Sequence, residues 1–354
     1  MAAEHLTELR RQIDTLDDRI LEMLNARARL AQAIGRRKKG PIYRPEREAQ
    51  VLRRLRAANP GPLPAEAVET LFREIMSACR ALEQRQVIAC LGPVGTFSEA
   101  AAVKQFGRAA SRLPVASIDA VFHAVERGEA SYGVAPVENS TEGAVGRTLD
   151  CLLATPLKVC GEVMLRVRQN LLRARAGLDG VRVVYAHAQS LAQCQGWLDR
   201  NLPGVERVSV VSNAEAARLA AGQNDAVAIA SDIAASEYGL VRVARNIEDD
   251  VRNTTRFLVL GREDAAASGR DKTSLAVWTE NRPGALLDLL QPFARNGVSL
   301  SKLESRPARS GAWEYVFFID LEGHRDSPQV AEALAEAGRH ARQLRVLGSY
   351  PAAA

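Results

Sequence analysis

Cations sit on this chain where hydrocarbon is due. Apolar residues recur at Leu6, Leu9, Ile13, Leu16, Ile20, Met23, Leu30 and Ile34 with alternating three- and four-residue spacing, which makes one helical stripe. Arg27 takes the stripe position between Met23 and Leu30, and Lys38 lies about three turns further along the same face. On the next helical stretch Arg47 and Glu48 are neighbours. A guanidinium on a buried face needs an anionic partner. Two partners are open: a carboxylate of a second subunit in an ion-pair network, or a doubly negative small molecule. Arg10 and Arg27 are 17 residues apart, about 25 Å along a helix. One small molecule cannot touch both on one chain, so if both serve one site, Arg10 comes from a second copy.

Further polar clusters fall at the ends of short apolar strands. GPVGTFS (92–98), with Thr96 and Ser98, follows a strand and opens a helix, where glycines, hydroxyls and free N–H groups can seat a carboxylate. PVENSTEG (136–143) carries Glu138, Asn139 and Ser140, and Thr148 follows in RTLD. HAQSLAQC (187–194) carries His187 and Gln193, and NIEDDVRNTTRF (246–257) carries Thr255 and Arg256. Each alone is ordinary turn chemistry. Four of them at strand ends of one α/β segment favour a ligand crevice. Further on, NRPGALLDLL (281–290) sets Asn281, Gly284, Ala285 and Leu286 at a helix start, where backbone N–H groups can meet an amino acid's carboxylate. LESRP (303–307) brings Glu304, Ser305, Arg306 and Pro307 onto a strand or a facing subunit.

The elements that must position these residues follow from periodicity. One helix spans 6–39 and stops at Gly40-Pro41. It is roughly 50 Å long, longer than a domain of this size is wide, so a partner subunit covers part of its stripe. A second helix follows Arg44-Pro45 until NPGPLP (59–64), and a third runs from about Pro64 to Gln84. From Val87 short apolar strands (VIACLG, YGVAPV, VRVVYAH, VSVVS, AVAIAS, TRFLVLG) alternate with amphipathic helices, an α/β segment. REDAAASGRDK (262–272) reads as a polar linker. Residues 273–350 read strand, helix, strand, strand, helix, strand, the ferredoxin-like order. The expected units are 1–86, 87–261 and 272–354.

Composition narrows the function. The net charge of +5 belongs to the first segment: residues 1–86 hold 17 basic and 12 acidic side chains, and the remainder holds 30 of each. Only RRKK (36–39) clusters, with Tyr43 and Phe72 as the segment's aromatics, which favours a small-anion pocket over a nucleic-acid surface. The five cysteines are scattered and never spaced as CxxC, so buried reduced thiols are expected rather than disulfides or a metal site. No run of about 18 apolar residues exists, and the charged N-terminus is unlike a signal peptide. No membrane partner and a cytoplasmic location are expected.

Residues 5–85 resemble the all-helical chorismate mutase family. LRRQID (9–14), LNARARLAQAIGRRKK (24–39) and PEREAQVL (45–52) place that family's Arg, Arg, Lys and Arg-Glu positions at Arg10, Arg27, Lys38, Arg47 and Glu48. The resemblance implies a helix-swapped dimer and a pericyclic rearrangement of chorismate to prephenate. Arginines hold the two carboxylates, Lys38 meets the ether oxygen and Glu48 the hydroxyl. Glu83 stands where one branch of the family has Gln; an ionised carboxylate would repel the ether oxygen, so mutase activity is expected to fall as pH rises. Cys79 replaces a small Ser beside the substrate, and Arg44 stands where an Asp can occur.

Residues 87–261 closely resemble prephenate dehydratase, through GPxGTFS, VENS…G…T.D and TTRF. The resemblance implies two α/β lobes like those of solute-binding proteins, with the substrate between them. Thr255 is the essential threonine, donating or relaying a proton to the leaving hydroxyl. Thr96, Ser98, Asn139, Ser140, Thr148 and Gln193 position the substrate. For Glu138 and Arg256 a direct and a structural role both stand open. Ala186 and Val251-Arg252 depart from the usual pattern. No cofactor is called for. Residues 273–350 resemble the ACT domains of this pathway, through NRPGALLDLL and LESRP, with Ser299 and Ser301 as departures; phenylalanine is the implied effector. The expectation is a bifunctional enzyme of phenylalanine biosynthesis with feedback inhibition, a homodimer whose further pairing into a tetramer is open. The competing readings are a dehydratase whose helical unit only dimerises, and a non-catalytic amino-acid sensor.

Overall fold

The computed structural model describes residues 2–37, 40–280, 282–307 and 315–353. Three helices form the first unit: α1 (Ala2–Arg37), α2 (Pro45–Ala58) and α3 (Ala65–Ala81). The spacing predicts α1 to residue 39, and Lys38 lies outside the described residues. Pro45 opens α2, where its missing N–H has no helical partner to lose. On α1, Leu6, Leu9, Ile13, Leu16, Ile20, Leu21, Met23, Leu30 and Ile34 are each 43–66% exposed. The stripe therefore exists and lies unburied in a single chain.

The second unit is two α/β lobes. The first holds β1 (Val87–Leu91), α4 (Phe97–Phe106), β2 (Ser111–Val115), α5 (Ile118–Glu126), β3 (Tyr132–Asn139), β4 (Gly143–Ala144), α6 (Gly146–Ala154) and β5 (Lys158–Arg166). The chain then crosses into the second lobe: β6 (Asn170–Arg173), β7 (Val183–His187), α7 (Ala188–Gln193), α8 (Gln195–Asn201), β8 (Glu206–Val210), α9 (Asn213–Ala221), β9 (Ala226–Ala230), α10 (Asp232–Glu237) and β10 (Val241–Ala244). It returns to the first lobe as β11 (Thr254–Gly261). The first sheet runs β2-β1-β3-β11-β5 and the second β10-β6-β9-β7-β8. The two crossovers lie side by side, with Val167 N–H on the Asn253 carbonyl and Ile247 N–H on the Gln169 carbonyl, each at 2.8 Å. β11 is inserted between β3 and β5, antiparallel to both, so the last strand of the unit sits mid-sheet in the first lobe.

The third unit comprises β12 (Asp271–Thr279), α11 (Ala285–Arg295), β13 (Leu300–Pro307), β14 (Tyr315–Glu322), α12 (Pro328–His340) and β15 (Gln343–Pro351). Its antiparallel sheet runs β13-β14-β12-β15, the ferredoxin-like order. One face carries α11 and α12 over Leu275, Val277, Ile319 and Leu321. The other face sends Ala276, Val316, Phe318, Leu347 and Tyr350 into the core of the first lobe.

The units are not beads on a string. Tyr43, between α1 and α2, is 1% exposed and enters the first lobe's core beside Phe106 and Tyr132. Its hydroxyl accepts from Gln105 Nε2 at 2.6 Å. The stretch 262–272 is not a free linker either. Ala265 and Ser268 are buried, and Arg53 of α2 donates to the Ser268 carbonyl. Polar composition suggested a tether, but its polar groups bond to both neighbouring units.

β15 crosses the backbone of β5 at Gly348. A Cβ there would stand 2.0 Å from the Val159 carbonyl oxygen, so only glycine permits the approach. Gly348→Ala should destabilise the protein by about 1–3 kcal/mol as backbone shifts to relieve the overlap. A thermal unfolding curve superimposing on the parent's would contradict this.

Candidate active sites

The first site forms where α1 crosses α3. Arg27 is half-buried, and its Nη1 donates to Cys79 Sγ at 2.9 Å. A neutral thiol is a weak acceptor, and among the described residues no carboxylate pairs with this guanidinium. Glu83 lays its carboxylate against α1 at Gly35, where an added Cβ would meet Glu83 Oε2 at 2.5 Å. Glu48 projects from α2 and pairs with Arg80 of α3. Arg47 and Arg10 are exposed. One chain thus gathers Arg27, Cys79, Glu83 and Glu48, with Arg10 on the distant half of α1. Arg80 is a functional candidate that the sequence reasoning omits. The signal was available: it falls four residues after buried Met76 on α3, a cation on an apolar face like Arg27.

The second site is built at the end of β3 and the start of β11, whose register sets Thr255 opposite Asn139. Asn139 Oδ1 accepts from the Thr141 N–H at 3.0 Å and the Thr141 hydroxyl at 2.6 Å. A backbone N–H can only donate, so this fixes which end of the amide is oxygen. Nδ2 then donates to Asn253 Oδ1 at 3.0 Å and to Thr255 Oγ1 at 2.8 Å. Thr255 therefore receives a hydrogen bond and keeps its own proton to give; among the described residues no acceptor takes it. Asn253, buried at 2% exposure, is a second candidate that the sequence reasoning omits. Ser140 extends the β3–β11 pairing, its Oγ accepting from Thr254 N–H at 3.0 Å.

Gln193 ends α7 across the crossovers. Its carbonyl takes Asp249 N–H at 2.8 Å, and its Oε1 meets Gln169 Nε2 at 3.4 Å. Gln169 Nε2 also reaches Ser190 Oγ at 3.0 Å. Three buried polar atoms along the crossovers, Gln169 Oε1, Glu248 Oε1 and Asn253 Nδ2, have no hydrogen-bond partner among the described residues. His187 is exposed.

Several of the expected site residues have partners of their own. Thr96 caps α4, accepting from Glu99 N–H and donating to the Leu91 carbonyl at 2.7 Å, so its proton is committed. Ser98 is buried in the first turn of α4. Thr148 is fully buried and donates to the Pro136 carbonyl at 2.5 Å, fastening α6 to β3. Arg256 does not share a face with Thr255. Strand side chains alternate, so it points away from Thr255. Its Nε meets Glu162 at 2.8 Å, Nη1 meets Asp320 at 2.5 Å and Nη2 meets the Tyr350 hydroxyl at 2.9 Å. Burial opposes its charge, but Tyr350, Asp320 and Glu162 more than compensate and hold its pKa above the ordinary arginine value. Glu138 shares that face, 3.0 Å from Lys302 of β13.

In the third unit Gly284 caps α11 at φ 82° in the left-handed region, with Ala285 buried and Leu286 packed under the helices. Asn281 lies outside the described residues. Along β13 side chains alternate between half-buried and exposed. Glu304 takes the half-buried set, Ser305 and Pro307 the exposed one. Arg306 is turned from the expected effector site towards α6, 3.3 Å from Asp150 and close against Gly146.

Comparison with known proteins covers the whole chain. Family models match residues 9–84 (chorismate mutase type II), 88–265 (prephenate dehydratase) and 273–339 (ACT domain). A bifunctional chorismate mutase/prephenate dehydratase of Neisseria gonorrhoeae is 54% identical over 99% of this chain and 98% of its own length. The Pseudomonas aeruginosa protein of that name is 49% identical, over 99% and 98%. Among solved structures, a prephenate dehydratase from Arthrobacter aurescens in complex with L-Phe is 36% identical, with a TM-score of 0.69 over 75% of this chain and 89% of that one. A protein described as a quorum-quenching acylase, GqqA, is 32% identical at TM-score 0.70, over 76% of this chain and 98% of that one.

The Arg256 cluster makes a sharp prediction. Arg256→Met leaves Glu162 and Asp320 buried without their shared cation, which should cost about 3–5 kcal/mol. Denaturant unfolding of the variant checks this, and an unchanged midpoint would contradict it.

Proposed function

The chain belongs to the bifunctional chorismate mutase/prephenate dehydratase family and has both enzyme activities, and we propose the following assignment of the chemistry to its side chains. Units 1–86, 87–261 and 272–354 carry mutase, dehydratase and regulation in turn. In the mutase, Arg27 and Arg47 of one chain and Arg10 of its partner grip the two carboxylates of chorismate. Lys38 meets the breaking ether bond, Glu83 lies beside it, Glu48 takes the hydroxyl and Cys79 packs against the substrate. Nothing covalent is needed: fixing the folded conformer and placing donors at the developing oxyanion lowers the barrier. The exposed α1 stripe supports a dimer, since burying it would remove a long apolar surface from water.

The dehydratase step joins loss of CO2 to loss of hydroxide. The electron pair of the breaking C–CO2 bond enters the ring and expels the ring hydroxyl, which leaves as water after gaining one proton. The observation that carries the assignment is the orientation of the Asn139 amide. By donating to Thr255 Oγ1, it leaves Thr255 as the proton donor to the leaving oxygen. Ser140 and Gln193 border the substrate, and the unpaired polar atoms of Gln169, Glu248 and Asn253 belong to the same cleft. Phenylalanine is the effector of the third unit, supported by its ACT match, with Asn281, Gly284, Ala285, Leu286 and Ser305 as its assigned contacts. A cytoplasmic location is consistent with the free cysteines, four of them buried. Among the described residues no helix is long and apolar enough to cross a membrane.

Supplying chorismate to the purified chain and following prephenate and phenylpyruvate, with and without phenylalanine, separates this reading from a merely dimerising helical unit and from a non-catalytic sensor. Thr255→Val should lower dehydratase kcat by more than about a hundredfold and leave mutase turnover at the parent value. Retention of a tenth of dehydratase turnover would refute the donor role.

A further inference from the structure

Arg80 stands at a junction that the assignments above do not use. It is 7% exposed. Its Nη1 bonds Glu48 of α2, and its Nη2 donates at 2.7 Å to the carbonyl of Phe106, the last residue of α4 in the dehydratase unit. A helix's final carbonyls carry partial negative charge and favour a cation. The guanidinium also lies 5.3 Å from the centroid of Tyr43, the side chain inserted into the dehydratase core. Glu74 and Ser77 share this face of α3. Glu74 accepts from Arg108 N–H at 3.0 Å, and Ser77 lies so close to Gly107 (φ 74°) that a Cβ there would stand 2.4 Å from Ser77 Cβ. One face of α3 therefore meets the dehydratase unit, while Cys79 and Glu83 turn to α1.

We propose that Arg80 is a positioning residue of the mutase reaction, holding Glu48 in place from an anchor on the dehydratase unit. The inference rests on the reading of Glu48 as the partner of the substrate hydroxyl. A carboxylate in a site built for a dianion is drawn to the same arginines that must hold the substrate. Arg27 lies near enough to Arg80 for their charges to interact. The Arg80 fork gives Glu48 a cation of its own, so Arg27 and Arg47 stay open to the ligand, and the Phe106 carbonyl stops the fork from following the carboxylate. Docking of the two units thereby becomes part of the mutase site.

The test uses full-length protein and four variants: Arg80→Met, Arg80→Lys, Glu48→Gln and the Arg80→Met/Glu48→Gln pair. Losing a charged hydrogen bond that orders a substrate contact should lower mutase kcat/KM about ten- to a hundredfold in Arg80→Met. Dehydratase turnover on prephenate supplied directly should stay within about twofold, which controls for folding. Arg80→Lys, with one head in place of a fork, should fall between. Because Arg80 acts through Glu48, the double variant should be no slower than Glu48→Gln alone. Costs that multiply in the double variant, or an Arg80→Met mutase within twofold of the parent, overturn the proposal. Should Arg80→Met lose dehydratase activity as well, Arg80→Lys combined with Glu48→Gln decides by the same rule. A Glu48→Gln mutase at full rate sinks the hydroxyl assignment and this inference with it; a slow Glu48→Gln with multiplying costs sinks only this inference.

Discussion

Side chains of a strand point alternately to its two faces, and at Thr255–Arg256 that constraint organises much of the molecule. Thr255 faces Asn139. Arg256 faces Glu162, Asp320 and Tyr350, and so binds the third unit. Neither side chain can shift by one position without exchanging faces with the other. The buried guanidinium thus fixes the register in which the hydroxyl is presented. Its anionic partners come from two units, so the strand that carries the proposed proton donor is held from behind by the domain assigned to sensing.

The mutase unit follows a different economy. Its helices bury little among themselves, and the long stripe of α1 lies open. What fixes the unit is its contact with the first lobe: Tyr43 inserted among aromatic rings, and the face of α3 carrying Glu74, Ser77 and Arg80. One side of the helical unit is thus seated on the first lobe, while the apolar stripe of α1 stays exposed in the single chain.

Much of the fold was legible because it follows periodicity. The stripe of α1, the Pro45 helix start, the alternation of strands and helices after Val87 and the βαββαβ order all appear near the expected places. Of the four polar clusters at strand ends, the structure joins two directly, through Asn139 and Thr255. Orientation was not legible. Thr96, Thr148 and Arg256 carry the right chemistry in the right motifs, yet Thr96 and Thr148 give their protons to carbonyls 5 and 12 residues back and Arg256 pairs with carboxylates 94 and 64 residues away, and no local pattern encodes which way a side chain turns. Arg80 and Asn253 escaped notice for the same reason: Arg80 is joined to Glu48 and Phe106, 32 and 26 residues away, and Asn253 to Asn139, 114 away. The tie of 262–272 to α2 was hidden because a polar composition looks alike whether its groups bond to water or to neighbouring units.

The seam between the third unit and the first lobe is keyed as well as greasy. Lys272 meets Glu162, Lys302 meets Glu138 and Arg306 meets Asp150, around a floor of Phe318, Leu347 and Leu258. Hydrocarbon alone would accept several seatings that differ by a small slide or rotation. Three opposite-charge pairs at separate points accept one, because a slide strands every partner at once. The third unit therefore engages the lobe in a single posture, and any rearrangement of its sheet reaches β3, β5 and α6 together rather than being absorbed at a soft joint.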